Sequence, residues 1–134
     1  MEKIDWKIPL YKIYTDDEDV NLITKIIKRG NQWALGPEIE EFENEIKKYV
    51  GADYCLTLNS GTSALHSALL SQNIGNGDNV IIPSFTFIAT ANAVLSVNAE
   101  ANFADIEDVT YGLNPSLIKS KINKKTKAII PVDI

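Results

Sequence analysis

The sequence has 134 residues, a length that suits one compact domain. With 45% hydrophobic and 23% charged residues it has the make-up of a globular chain and not of a disordered one. Its formal net charge of -5 argues against a nucleic-acid surface, which needs a clustered basic face.

In chain order, Met1–Pro9 alternates charge and hydrophobe without the apolar core of a signal peptide. Thr15-Asp16-Asp17-Glu18 forms a capping-box pattern, with acidic residues where the positive end of a helix favours them. Val20, Ile23 and Ile27 then recur at helical spacing until Arg29-Gly30. Asn31 to Gly36 is a loop carrying Trp33 and Leu35. Pro37 suits the first turn of a second helix, whose inner stripe is Ile39, Phe42, Ile46 and Tyr49.

From Gly51 the pattern changes to strand alternating with helix. Tyr54 to Leu58 is expected as a strand, with the single cysteine, Cys55, inside it as a small buried hydrophobe. Thr62 to Gln72 is a helix with Leu65, Leu69 and small alanines inward. Gly75 to Asp78 is a turn, and Val80 to Ile82 a short buried strand. Thr86 to Val97 is the next helix, packed through Ile88, Ala91, Val94 and Leu95. Ala101 to Phe103 is a third strand ending at Asp105. Asn114-Pro115 is a cap and first-turn proline, opening a helix through Leu117, Ile118 and Ile122. The basic run Lys119–Lys127 reads as a solvated helix end and turn. Lys127 to Val132 is a fourth strand.

Short apolar strands separated by amphipathic helices predict an α/β fold: a mostly parallel sheet of βαβ units over 51–134, preceded by an arm and two helices over 1–50. The chain stops directly after a strand, so a sheet cut short is the expectation. A lone cysteine and no run near the ~20 apolar residues of a bilayer span lead us to expect a cytoplasmic protein.

The chemistry concentrates at strand-to-helix junctions. In open α/β sheets ligands sit beyond the carboxyl ends of the strands, where "LTLNSGTSAL" leaves its strand. The amides of Gly61, Thr62 and Ser63 have no helical acceptor there, and the hydroxyls of Ser60, Thr62 and Ser63 add donors. That arrangement suits a phosphate, while plain N-capping by Ser60 or Thr62 is the other use of such residues. At the second junction, "IIPSFTFIATANA", Ser84 or Thr86 can cap the helix. Phe85 and Phe87 fall at the same edge, where an aromatic either joins the core or stacks on a flat ring. G-x-x-x-x-G-K-[ST] and G-x-G-x-x-G are both missing, which counts against a nucleotide-binding domain. His66, the only histidine, has no metal-binding companions.

Three stretches, "ALGPEIEEFENEIKKYVGADYCLTLNSGTSAL", "GDNVIIPSFTFIATANAVL" and "KTKAIIPVD", resemble the DegT/DnrJ/StrS family in wording, order and spacing. That family comprises pyridoxal-phosphate (PLP) aminotransferases of nucleotide-linked keto-sugars, used in amino-sugar and polysaccharide biosynthesis. The resemblance runs from Ile8 to Asp133 and implies the N-terminal part of a fold type I large domain. It implies that Gly61, Thr62 and Ser63 hold the 5′-phosphate of PLP and that Phe87 stacks on the pyridine. It also implies that Trp33 and Leu35 lie near the sugar site, and that the protein works as a homodimer with glutamate as amino donor. Asp105 matches a family feature and is read as structural. The Schiff-base lysine and the carboxylate against the pyridine nitrogen are expected beyond Ile134. None of the twelve lysines stands in an apolar strand-end context, so no catalytic residue is assigned and the chain alone is expected not to transaminate. A sugar dehydratase or other fold type I enzyme, or a non-catalytic truncated product, is the alternative.

Overall fold

A computed structural model of the chain describes Ile8 and residues 11–134. Met1–Pro9, expected to lack a signal-peptide core, lies outside the described residues except for Ile8. The chain divides into two compact units, Met1–Cys55 and Leu56–Ile134.

In the first unit, α1 (Asp17–Arg29) is capped one residue later than expected. The Asp16 carboxylate accepts from the amides of Glu18 and Asp19 at 2.9 and 3.3 Å, and Asp19 accepts the Asp16 amide at 3.0 Å. A carboxylate closes the box as a hydroxyl would and adds charge at the positive helix end, so Asp16 displaces Thr15. Gly30 ends the helix at φ 77°, a conformation that glycine adopts without strain. α2 (Pro37–Val50) begins on its proline. Arg29 braces the loop between them, meeting Glu38 at 2.7 and 3.2 Å and donating to the carbonyls of Asn31 and Gln32. This pairing holds the Glu38 carboxyl below the ordinary carboxylate range. Neither helix buries a residue, and Val20, Ile23, Ile27, Phe42 and Tyr49 are all exposed. The expected stripes lie on one face of each helix, but neither becomes a core.

The second unit holds α3 (Gly61–Ser71), β1 (Asn79–Pro83), α4 (Ala89–Ser96), β2 (Glu100–Ala104), α5 (Pro115–Lys121) and β3 (Thr126–Ile129). The strands form one parallel sheet in the order β2-β1-β3, with Ile81 opposite Asn102 and Ile129. β1 is buried at all five positions, as its unbroken apolar run requires. Val80 and Ile82 pack with Leu69, Ala91, Val94 and Val97 in the core. At the amino end of β1 the buried Asn79 is fully engaged. Its amide donates to the Lys125 carbonyl at 2.8 Å, and its side chain joins Asn123 and Thr126 at 3.3 and 2.9 Å.

Three expectations are corrected here. Tyr54–Leu58 is not a strand of the sheet among the described residues, with Tyr54 and Leu56 exposed and Cys55 only half-buried. Alternating apolar residues permit a strand, but a strand exists only with a hydrogen-bonded neighbour. α4 starts at Ala89, not Thr86, and buries Thr90, Ala91, Ala93 and Val94, leaving Ile88 and Leu95 exposed. Small side chains let this helix lie close on the sheet, so the alanines and not the larger Ile88 and Leu95 face inward. β3 ends at Ile129, although the Ile130 amide still donates to the Ile81 carbonyl at 2.9 Å.

Candidate functional site

Because the strands are parallel, the loops leaving β1 and β2 emerge at one edge of the sheet. The Ser84 amide donates to the Ala104 carbonyl at 3.0 Å, and the Ser84 hydroxyl to the Asp105 carboxylate at 3.1 Å. Ser84 therefore ties two strand ends together instead of capping α4. Thr86 does not cap it either: its hydroxyl pairs with that of Thr90 at 2.8 Å, and the N-cap, Ile88, has no side-chain bond to offer. Asp105 keeps the structural part read from the sequence, accepting also from the Ile106 amide at 2.9 Å.

Beside this edge lies a cavity of about 880 Å³ lined by Gly61, Thr62, Ala64, Leu65, Ala68, Thr86, Phe87 and Thr90, among others. The first turns of both α3 and α4 reach it, and neither carries an acidic residue there. Two positive helix ends without a local counter-charge favour an anion. Ser60 is the N-cap of α3, and its hydroxyl oxygen accepts the Ser63 amide at 3.1 Å. Of the three amides expected to be free, Ser63 is thus committed to the cap, and those of Gly61 and Thr62 remain. Ser60 in turn donates its proton to the Ser63 oxygen at 3.0 Å, so the Ser63 hydroxyl keeps its own proton. Capping and anion binding coexist at this helix end.

The structure brings Gly61, Thr62 and Phe87 to one cavity, with Phe87 77% exposed. Ser63, half-buried, stands in the same turn but does not line the cavity. Trp33 and Leu35 belong to the first unit, in the loop before α2, and both are exposed. Thr86 and Thr90 were missed as lining residues. Their i, i+4 spacing was legible, but the start of α4 that turns both toward the cavity was not. Phe85, the other aromatic of the junction, meets Tyr111 edge-on at 6.2 Å between ring centres. No group of histidines, cysteines and carboxylates suited to a metal occurs among the described residues.

The DegT/DnrJ/EryC1/StrS aminotransferase family model matches residues 14–134. The chain belongs to this family. It is 41% identical over 112 residues to UDP-2-acetamido-2-deoxy-3-oxo-D-glucuronate aminotransferase of Pseudomonas aeruginosa, covering 84% of this chain and 31% of that protein. It is 35% identical to GDP-perosamine synthase of Vibrio cholerae, covering 95% and 35%. Among solved structures, an aminotransferase of the family from Brucella abortus superposes with a TM-score of 0.80 at 36% identity, covering 88% of this chain and 34% of that one. NtdA from Bacillus subtilis, solved with its cofactor PMP bound, superposes at 0.78 with 33% identity, covering 87% and 27%. The sheet and helices described above are those of fold type I PLP aminotransferases. PLP is the family's cofactor. The chain spans about a third of the length of the relatives it matches.

The residues present fit a phosphorylated aromatic cofactor. Two unengaged amides and the Thr62 hydroxyl suit a phosphate, and an exposed aromatic ring on the same cavity suits a planar ring. At Gly61 an added Cβ would meet nothing within 4 Å, so open space faces that turn.

Proposed function

We propose that this chain supplies the phosphate- and ring-holding part of a PLP-dependent aminotransferase acting on nucleotide-linked keto-sugars. The observation that carries this reading is the shared cavity of the α3 N-terminus and Phe87. Gly61 and Thr62 take the phosphate through their amides and the Thr62 hydroxyl, and Ser63 adds its remaining hydroxyl proton at the rim. Phe87 holds the pyridine flat, and Ala64, Leu65 and Ala68 keep water from its edge. When bound, PLP serves as the electron sink for moving an amino group. The amine comes from glutamate and goes to the keto carbon of the sugar, in a cytoplasmic homodimer. Trp33 and Leu35 are the substrate-side contacts in this reading, and 1–50 and 51–134 its arm and cofactor-binding parts. Family membership and the sugar aminotransferases among its relatives support it; no helix among the described residues is long and apolar enough to cross a membrane.

The test is a titration of the chain with pyridoxamine 5′-phosphate, which has no aldehyde to condense with lysines, followed through amide resonances. Shifts gathered at Gly61, Thr62 and Phe87 and reversed by inorganic phosphate are expected. Shifts spread over the lysine-bearing surface, or none, would overturn the reading.

A further inference from the structure

Resting on that cofactor reading, we propose that the Thr86–Thr90 hydroxyl pair is a further ligand-binding element, donating a hydrogen bond to the oxygen substituent of the ring that stacks on Phe87. The argument is a count of protons. The two oxygens lie 2.8 Å apart and share one hydrogen bond, in which either can donate. Two hydroxyls bring two protons, so one always remains. Neither side chain makes another hydrogen bond among the described residues, so that proton has no acceptor among them.

The surroundings make this costly to leave so. Thr90 is only 5% exposed and Thr86 is half-buried, and both line the cavity with Ala64, Leu65, Ala68 and Ala89. A donor against apolar walls needs a partner from solvent or ligand. A helical threonine usually turns its hydroxyl back to the carbonyl four residues earlier. Thr90 instead meets the side chain of the residue four earlier, Thr86, and both residues of the pair line the cavity, where a ligand can take the spare proton. Phe87 lies between them in sequence and lines the same space, so a ring resting on it shares the cavity with this donor.

The pair also makes a sharp prediction about variants, since either hydroxyl alone keeps one proton to give. T86V or T90V singly retains a donor, whereas T86V/T90V has none. Calorimetric titration of the chain with pyridoxamine 5′-phosphate is expected to show about fivefold weaker binding for the double variant. Affinity for inorganic phosphate stays unchanged, and T86S/T90S binds as the parent chain does. On the ligand side, removing the ring's 3-hydroxyl weakens binding to the parent chain by a similar factor but leaves the double valine variant indifferent. Equal affinity of parent and double valine variant for pyridoxamine phosphate overturns the proposal and leaves the cofactor reading standing. An equal loss for inorganic phosphate also overturns it, showing a structural effect. If the parent chain binds no pyridoxamine phosphate, both fall. Should the double valine variant fail to fold, equal affinity of the parent chain for pyridoxamine phosphate and its 3-deoxy analogue is the overturning result.

Discussion

The Ser84 hydroxyl donates to the Asp105 carboxylate at 3.1 Å, joining the loop that bears Phe87 to the end of β2. The same carboxylate oxygen accepts the Ile106 amide at 2.9 Å, so one side chain organises two strand ends. Asp105→Ala is expected to cost about 1 kcal/mol in urea unfolding, the scale of exposed hydrogen bonds. Asp105→Asn keeps an acceptor oxygen and should lose less. If the alanine variant unfolds at the parent's midpoint, the tie contributes nothing.

Phe87 separates binding from folding. The residue is 77% exposed, so Phe87→Ala should alter stability by no more than about 0.5 kcal/mol. Loss of the stacking face should weaken pyridoxamine phosphate binding about tenfold while sparing inorganic phosphate. Phe87→Tyr should bind like the parent. Equal affinity for the alanine variant would remove the ring from the site.

A pair of core substitutions tests how α4 lies on the sheet. Ile82 is fully buried against α4, whereas Leu95 is 58% exposed. Thermal or urea unfolding should show a loss of roughly 2–5 kcal/mol for Ile82→Ala. Leu95→Ala should cost about 0.5 kcal/mol or less. A large loss at Leu95 would mean that α4 packs through the face first expected of it.

Glu107 gives the β2–α5 loop a pH dependence. The Thr110 hydroxyl, and then the Val109 and Thr110 amides at 2.8 and 2.7 Å, donate to its carboxylate and hold it below the ordinary glutamate range. A lowered value in the folded chain means that the group stabilises the fold above the ordinary range. That contribution drains away as pH falls through the lowered value. Amide shifts of Val109 and Thr110 should therefore titrate below the range of a free glutamate, and Glu107→Gln should flatten them. Titration at or above that range would contradict the geometry.

Local chemistry made several elements readable from sequence alone. Asn114 caps α5, accepting the Ser116 amide at 3.0 Å, and Ser60 caps α3, because such side chains satisfy helix amides wherever they occur. The apolar run of β1 likewise announced a strand covered on both faces. What sequence did not convey was anything decided by a neighbour. Tyr54–Leu58 has a strand's composition yet is not one of the three strands of the sheet, and Ile88 is as apolar as a core residue yet precedes the first turn of α4. The Thr86–Thr90 pair depends on where that turn begins, which small hydroxyl residues in a row leave ambiguous. Phe87 was legible as an aromatic at a strand's end, though its exposure emerged only with the fold.

The knot of Asn79, Asn123 and Thr126 has a bearing on how such a domain can change. It clamps the sheet at the margin remote from the cavity, so part of the rigidity is assigned to the end of the strands away from recognition. An exposed residue that greets a ligand, such as Phe87, is thereby released from holding the architecture together. Selection, or an engineer, can exchange such exposed positions with little risk to the scaffold so long as that distant clamp is left alone.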